Sequence, residues 1–265
     1  SLYDDVTARS ADGVSVAVHG EGAAQVPTGP DNLAARAARA LARRAGVAAR
    51  VRLELAKAIP VAAGMAGGSA DAAGALVACD TLWSTGLDRG ALAEVAAELG
   101  SDVPFALAGG TALGTGRGER LTPVLAKGQY HWVFALAEGG LSTGEVYAEH
   151  DRLTHRLRPA GPPPDDVLAA LRAGDPAALG RALVNDLQPA ALRLRPPLRR
   201  VLEAGRELGA LGAVVSGSGP TCAFLVRSGS DSVALAASLA GMGVCRAVRR
   251  AHGPVNGARV VDAGS

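Results

Sequence analysis

Alternating apolar and polar positions predict the strands of this chain. Val51, Leu53 and Leu55 alternate with Arg52 and Glu54, which is typical of a strand with one buried face. Similar runs predict strands at residues 2–9 and 14–18, joined as a hairpin through Asp12-Gly13, and at 111–113, 130–137, 213–216, 222–226 and 244–249.

Helical periodicity covers most of the remaining chain. A helix is predicted over residues 31–45, with Asp31 as its cap and Gly46 at its end. Ser142-Thr143-Gly144-Glu145 is a capping box that starts another helix. Further helices are predicted at residues 69–82, 92–99, 165–173, 176–185, 197–208 and 232–240.

The order of these elements predicts an α+β fold with two domains. A proline-rich break over residues 159–164 divides the chain into residues 1–158, a mixed α/β domain, and residues 159–265. The second part has the order α-β-β-α-β, which favours antiparallel pairing of a ferredoxin-like kind.

Composition excludes several functional classes. The chain has 265 residues, a net charge of +2 and 3% aromatic residues, so neither nucleic acid nor a membrane is expected as its partner. Cys79, Cys222 and Cys245 are odd in number and widely spaced, which predicts a reducing, cytoplasmic compartment. A small-molecule substrate and a monomer or weak homodimer are expected.

The segment of residues 60–70, here called the phosphate loop, carries the strongest chemical signal. It is rich in small residues and leads directly into an alanine-rich helix. Free amides at a helix N-terminus favour an anion, and glycines allow it to approach the backbone. No Gly-Lys-Ser/Thr follows, and the spacing differs from a dinucleotide fingerprint. The alternative is a flexible connection without a ligand.

Two further segments are candidates for the same chemistry. Asp102 lies in Gly100-Ser101-Asp102-Val103-Pro104-Phe105, before apolar residues expected to be buried; it either caps a turn or accepts a proton from an attacking hydroxyl. Residues 216–221, here called the second glycine loop, lie between two apolar strands. They form either a tight hairpin or a second set of backbone donors.

Together these three segments resemble the GHMP small-molecule kinases. The phosphate loop is similar to their Pro-x-x-x-Gly-Leu-Gly-Ser-Ser-Ala motif, and the second glycine loop to their C-terminal glycine-rich motif. The segment around Asp102 is similar to the corresponding Gly-Ala/Ser-Asp-Val-Pro-Phe segment in one branch of this family. Members of that branch phosphorylate 4-diphosphocytidyl-2-C-methyl-D-erythritol (CDP-methylerythritol).

The resemblance implies a set of roles, with ATP and Mg²⁺ as cofactors and CDP-methylerythritol as substrate. Asp102 is implied as the catalytic carboxylate, acting on the 2-hydroxyl of the erythritol. Nucleotide-binding residues are implied to be Asn32, Lys57 and the loop residues Pro60, Val61, Ala62, Ala63, Gly64, Met65, Ala66, Gly67, Gly68, Ser69 and Ala70. Substrate-binding residues are implied to be Thr143, Tyr147 (stacked on cytosine), Gly217, Ser218 and Gly219. No residue is predicted as a metal ligand.

The chain also departs from the family pattern. Family members open with a strand carrying Lys-x-Asn-Leu and then a segment with an aromatic residue and a histidine, so we expect a further segment upstream of Ser1. Ala70 replaces the commoner serine, which leaves Ser69 as the motif hydroxyl available to phosphate or Mg²⁺. Two alternatives remain open: another GHMP kinase, of the mevalonate or homoserine type, or an inactive nucleotide-binding form.

Overall fold

The computed structural model describes residues 1–61, 63–154 and 165–261, which form two compact units. The N-terminal unit holds Leu2–Val61, Ala66–Val124 and the described residues from Val255 onward. The C-terminal unit holds Ser1, residues 63–65 and Leu125–Pro254. The predicted boundary between residues 158 and 159 falls outside the described residues and stays a prediction.

The N-terminal unit is built on a three-stranded sheet covered by helices. Its elements are β1 Asp5–Arg9, β2 Val14–Gly20, α1 Leu33–Ala45, β3 Val51–Lys57, α2 Gly67–Trp83, α3 Arg89–Leu99, α4 Val103–Ala108, β4 Ala112–Thr115 and β5 Arg120–Pro123. Strand β3 is central, antiparallel to β1 and parallel to β2, while β4 and β5 form a separate hairpin. The alternation predicted for β3 is confirmed, because Val51, Leu53 and Leu55 are fully buried.

Small residues let the helices of this unit pack closely. Helix α2 packs against α1, α3, α4 and β1. Alanines dominate the buried faces of α1 and α2, and they join Leu41, Leu76 and the core face of β3 in one cluster. Because α2 is enclosed on several sides, its N-terminus is held by the core.

The C-terminal unit is a four-stranded antiparallel sheet with six helices among its described residues. Its elements are β6 Tyr130–Leu136, α5 Thr143–Thr154, α6 Asp165–Ala173, α7 Pro176–Ala182, α8 Gln188–Leu194, α9 Leu198–Glu207, β7 Gly212–Val215, β8 Cys222–Val226, α10 Gly229–Gly241 and β9 Ala247–Gly253. The strand order is β7-β8-β6-β9, as in a ferredoxin-like sheet. Strand β6, which the sequence prediction grouped with residues 1–158, lies inside this sheet.

Several local predictions are wrong. Strands β1 and β2 do not form a hairpin, because β3 lies between them. The cap of α1 is Asn32 and not Asp31. Phe105 is 43% exposed although it was expected to be buried. The short elements α4, α8 and β5 were not predicted, since four to seven residues carry too little periodicity to identify an element.

Candidate active site

The N-terminus of α2 has the geometry of an anion site. Ala66 adopts a left-handed conformation with φ of 53°, and the helix begins at Gly67, two residues before the predicted start at Ser69. The amide of Ala70 donates to the carbonyl of Ala66 at 3.0 Å, which closes the first helical turn. The preceding amides of the helix, including those of Gly67 and Gly68, therefore have no acceptor within the helix.

The surroundings of Gly68 are open. A Cβ added at Gly68 would meet no atom within 4 Å. Ser69 lies half-buried in the same first turn. A seventeen-residue helix presents partial positive charge at this end, so the arrangement suits a phosphate group.

The middle of the phosphate loop belongs to the C-terminal unit and touches the second glycine loop. The hydroxyl of Ser216 donates to the carbonyl of Gly64 at 2.9 Å. Gly64 has φ of 67°, and a Cβ there would lie 2.5 Å from the carbonyl oxygen of Ser216 and 2.8 Å from that of Gly219. The backbone can approach this closely only because residue 64 is glycine.

The other described residues from 60 to 65 are buried or half-buried. Pro60 and Ala63 are buried, and Met65 is half-buried. Val61 packs against Gly22, where a Cβ would lie 3.0 Å from the Val61 Cγ2. Ala62 lies outside the described residues, so its predicted role has no structural description.

The second glycine loop is a hairpin connection, as one of the two alternatives predicted. It joins antiparallel β7 and β8, and the amide of Ser216 donates to the carbonyl of Thr221 at 2.8 Å. The amide of Gly219 donates to the carbonyl of Ser216, also at 2.8 Å. These two amides already donate inside the loop. Fewer backbone N–H groups of the loop are therefore available to a ligand.

Asn185 holds this loop in place, and sequence reasoning missed it. Its side-chain amide donates to the carbonyls of Val215 and Gly217 at 2.7 and 2.8 Å. Its Oδ1 accepts from the amide of Leu187 at 3.0 Å. The available signal was a lone asparagine after a helix, which does not by itself indicate a contact thirty residues away.

Two of the predicted substrate residues meet at the start of α5. The hydroxyls of Thr143 and Ser218 are 3.0 Å apart, which ties the N-terminus of the helix to the second glycine loop. The capping box is confirmed on one side, because the Ser142 hydroxyl accepts from the amide of Glu145 at 3.4 Å. Tyr147, one turn further along, is 52% exposed and presents its ring to solvent.

The side chain of Asn32 caps the N-terminus of α1. Its Oδ1 accepts from the amides of Ala34 and Ala35 at 2.9 and 3.2 Å, and its Nδ2 donates to the carbonyl of Pro27 at 2.7 Å. The residue is 4% exposed. The contact with adenine that the resemblance implies stays a prediction.

Asp102 has the exposure that a catalytic carboxylate needs. It occupies the cap position of α4, yet its side chain makes no capping hydrogen bond. The residue is exposed, while Val103 and Pro104 behind it are buried. The structure therefore shows no capping hydrogen bond from the Asp102 carboxylate, and the two residues that follow it are packed in the core. Helix α4 packs against α2, so Asp102 and Ser69 belong to two helices in contact.

Lys57 lies at the end of β3 in a buried cluster of charges. Its ammonium donates to Asp4 and, at 2.7 Å, to the Oδ2 of Asp71. Burial raises the pKa of the Asp71 carboxyl from 3.8 to about 6, against the opposing effect of the Lys57 charge. Neither aspartate was singled out from the sequence.

The described residues hold neither a cluster of metal-binding side chains nor a helix suited to crossing a membrane. Among the described residues, no group of three or more His, Cys, Asp or Glu side chains could hold a metal ion. In the same part of the chain, no helix combines the length and apolar character that a membrane crossing needs.

Comparison with known proteins shows the family. Residues 32–110 match the model for the GHMP kinases N terminal domain, and residues 167–244 match that for the GHMP kinases C terminal domain. The 4-diphosphocytidyl-2-C-methyl-D-erythritol kinase of Streptomyces avermitilis is 58% identical over 98% of this chain and 88% of its own length.

Solved structures agree on the fold. A crystal structure of 4-(cytidine 5'-diphospho)-2C-methyl-D-erythritol kinase is 34% identical, with a TM-score of 0.73 over 95% of this chain and 86% of that one. Homoserine kinase from Cytophaga hutchinsonii has a TM-score of 0.77 at 19% identity, covering 96% and 87% of the two chains, and this likeness shows the fold alone. The chain thus belongs to the GHMP kinase superfamily and, within it, to the 4-diphosphocytidyl-2-C-methyl-D-erythritol kinase family.

Proposed function

We propose that this small-molecule kinase transfers the γ-phosphoryl group of ATP to the 2-hydroxyl of CDP-methylerythritol, a step in non-mevalonate isoprenoid precursor synthesis. The observation that carries the proposal is the N-terminus of α2, where the helix begins after a left-handed Ala66, its first amides have no acceptor within the helix and a Cβ at Gly68 would meet no atom within 4 Å. Family membership supplies the reaction class, because relatives at 55–59% identity share one name.

The first turn of α2 and the loop before it bind the phosphates of ATP. The amides of Gly67, Gly68 and Ser69 donate to phosphate oxygens, and the helix dipole favours their negative charge. When bound, Mg²⁺ would offset the charge of the phosphates, and the hydroxyl of Ser69 is the side-chain group in this turn that could bind it. Such a site needs few carboxylates, since Mg²⁺ in phosphoryl-transfer enzymes is held largely by the substrate phosphates and water.

Asp102 acts on the hydroxyl that is phosphorylated. Its carboxylate accepts the hydrogen bond of the 2-hydroxyl and takes the proton as the hydroxyl oxygen bonds to the γ-phosphorus, while the bond from that phosphorus to the bridging oxygen breaks and ADP leaves. The buried Val103 and Pro104 fix the backbone of Asp102, so the carboxylate needs little reorganisation. Catalysis by this chain therefore depends mainly on positioning and electrostatic stabilisation.

The predicted substrate residues keep their proposed roles in the C-terminal unit. The exposed ring of Tyr147 is available to stack on cytosine, and Thr143 contacts Ser218 one turn earlier. Gly217 and Gly219 give the second glycine loop the positive φ values, 55° and 83°, that its turn requires. The adenine contact of Asn32 stays a prediction, since its side chain caps α1 and its backbone amide donates to the carbonyl of Gly29 at 3.1 Å.

Other attributes remain at the level of prediction. Cys79, Cys222 and Cys245 are free, and burial raises the pKa of Cys79 and Cys222 to about 12, which makes both thiols unreactive. These thiols support the proposal of a reducing compartment. A monomer or weak homodimer stays a prediction, to be measured by light scattering.

A substrate-competition assay tests the function. Purified chain is incubated with ATP, Mg²⁺ and equal concentrations of CDP-methylerythritol, homoserine and mevalonate, and the phosphorylated products are quantified. CDP-methylerythritol is expected to be the preferred acceptor. Preference for homoserine or mevalonate would assign another GHMP activity, and ATP binding without any phosphoryl transfer would leave the inactive nucleotide-binding alternative.

An Asp102→Asn variant tests the mechanism. Loss of the proton acceptor is expected to lower kcat by about 10²–10⁴-fold, while ATP affinity changes little. Asp12→Asn is the matched control, since Asp12 is also an exposed carboxylate of the N-terminal unit and is expected to keep full activity. Near-normal turnover by Asp102→Asn would remove this residue from the mechanism.

A further inference from the structure

The cluster of Asp4, Lys57 and Asp71 joins the chain before the phosphate loop to the helix after it. Lys57 is the last residue of β3, and Asp71 lies in the second turn of α2. The side chains of all three are between 1% and 5% exposed. The Lys57 ammonium bridges the two carboxylates, so one ion-pair network spans the two ends of the loop.

Asp4 also fixes the entry to the loop. Its Oδ1 accepts from the amides of Ala58 and Ile59 at 2.6 and 2.8 Å. Ile59 in turn packs against the first residue of α2, because a Cβ at Gly67 would lie 3.2 Å from the Ile59 Cγ2. The carboxylate of Asp4 therefore holds both the Lys57 ammonium and the peptide groups that lead into the loop.

Lys57 lies directly against the start of α2. Its Nζ would be 3.5 Å from a Cβ placed on Gly67. With two carboxylates and one ammonium, the cluster carries a formal charge of −1 when all three groups are ionised. The positive charge of Lys57 is thus more than balanced by its own partners, and it provides no free counter-charge for a phosphate.

We propose that Lys57 is a positioning residue, which acts through Asp4 and Asp71 to hold the first turn of α2 in its phosphate-binding geometry and does not itself bind a phosphate group. This inference rests on the proposed function, in which that turn binds ATP. It concerns the phosphates, and the nucleotide contact that the family resemblance implies for Lys57 stays a prediction. The Oδ1 of Asp71 is buried without a hydrogen-bond partner, and its Oδ2 accepts from the Lys57 ammonium.

A double-mutant cycle separates positioning from contact. ATP dissociation constants are measured by calorimetry for the full chain and for Lys57→Met, Asp71→Asn and the double variant. We expect Lys57→Met to weaken ATP binding at least tenfold, because it leaves two facing carboxylates without a cation. We expect Asp71→Asn to weaken it about threefold, and the double variant to bind no worse than Lys57→Met.

Direct contact gives a different result. If Lys57 bound phosphate itself, Asp71→Asn would leave ATP affinity unchanged or improved, and the two effects would multiply in the double variant. Either outcome overturns the proposal. If Lys57→Met does not fold, Asp71→Asn alone decides, since unchanged ATP affinity contradicts positioning.

Two controls identify the cause of any change. Lys127→Met removes the other lysine of the chain, which is exposed, and is expected to leave ATP binding unaltered. The KM for CDP-methylerythritol is expected to change less than twofold in all variants, whereas a general loss of folded protein would lower kcat and leave both KM values unchanged. Absence of phosphoryl transfer by the unmodified chain would refute the proposed function, and a multiplicative cycle in an active enzyme would refute only the positioning role.

Discussion

Replacing Gly64 with alanine tests whether contact between the two glycine loops matters for catalysis. Gly64 has φ of 67°, so an alanine there costs about 1–2 kcal/mol of folding free energy from backbone strain. The added Cβ would also lie 2.5 Å from the carbonyl oxygen of Ser216. To restore an ordinary contact of 3.4 Å, one of the two loops must retreat by about 0.9 Å.

A displacement of this size is large for a catalytic site. A misplacement of about 1 Å can lower a rate by about 100-fold, equivalent to about 2.7 kcal/mol of transition-state stabilisation. We therefore expect Gly64→Ala to reduce kcat/KM for ATP by about two orders of magnitude. Steady-state kinetics at varied ATP, with the unfolding temperature measured in parallel, separates this loss from loss of folded protein.

Gly46 provides the matched control. It has nearly the same backbone conformation, with φ of 68°, but a Cβ there would meet no atom within 4 Å. Gly46→Ala is expected to cost about 1 kcal/mol or slightly more of stability and to leave the kinetic constants unchanged. If Gly64→Ala loses no more activity than Gly46→Ala, the reasoning about contact between the loops is wrong.

Two further predictions follow from buried polar groups. Asn185→Asp keeps the acceptor for the Leu187 amide but removes both donors to the second glycine loop. We expect it to lower the free energy of unfolding in urea by about 1–3 kcal/mol and to lower kcat. An unaltered kcat would show that this loop is not needed for catalysis. Burial raises the pKa of Asp71 from 3.8 to about 6, so the folded state binds this proton more tightly than the unfolded state. Its contribution to stability is full below pH 3.8 and is lost as pH rises through 6. Urea titrations at several pH values should show this slope in the unmodified chain and not in Asp71→Asn; parallel slopes would contradict the shift.

Patterns repeated over many residues were predictable from the sequence. The long helices and the alternating strand β3 were found because each has enough positions to establish a period. The capping box of α5 and the C-terminal glycine of α1 were readable because a cap depends on local residue types. The N-cap of α1 is Asn32, one residue after the predicted Asp31, and helix boundaries commonly vary by this much.

The candidate site was predictable where its chemistry is local. An anion site at the start of α2 needs only small residues followed by a helix, and both are visible in the sequence. The buried partners of Lys57 were not predictable, because Asp4 and Asp71 are 53 and 14 residues away from it and neither carries a local signal. Asn185 escaped notice for the same reason.

The amino-acid sequence alone thus determined the longer elements, the α+β class and the amides at the start of α2, because hydrogen bonding within a helix and alternation along a strand are short-range properties. Tertiary structure decided which strands are neighbours, placing β3 between β1 and β2 and β6 inside the C-terminal sheet. It also decided that Lys57 is enclosed by two carboxylates and that Gly64 lies against Ser216. These contacts depend on how the core packs, and packing joins residues whose separation along the chain carries no periodic signal.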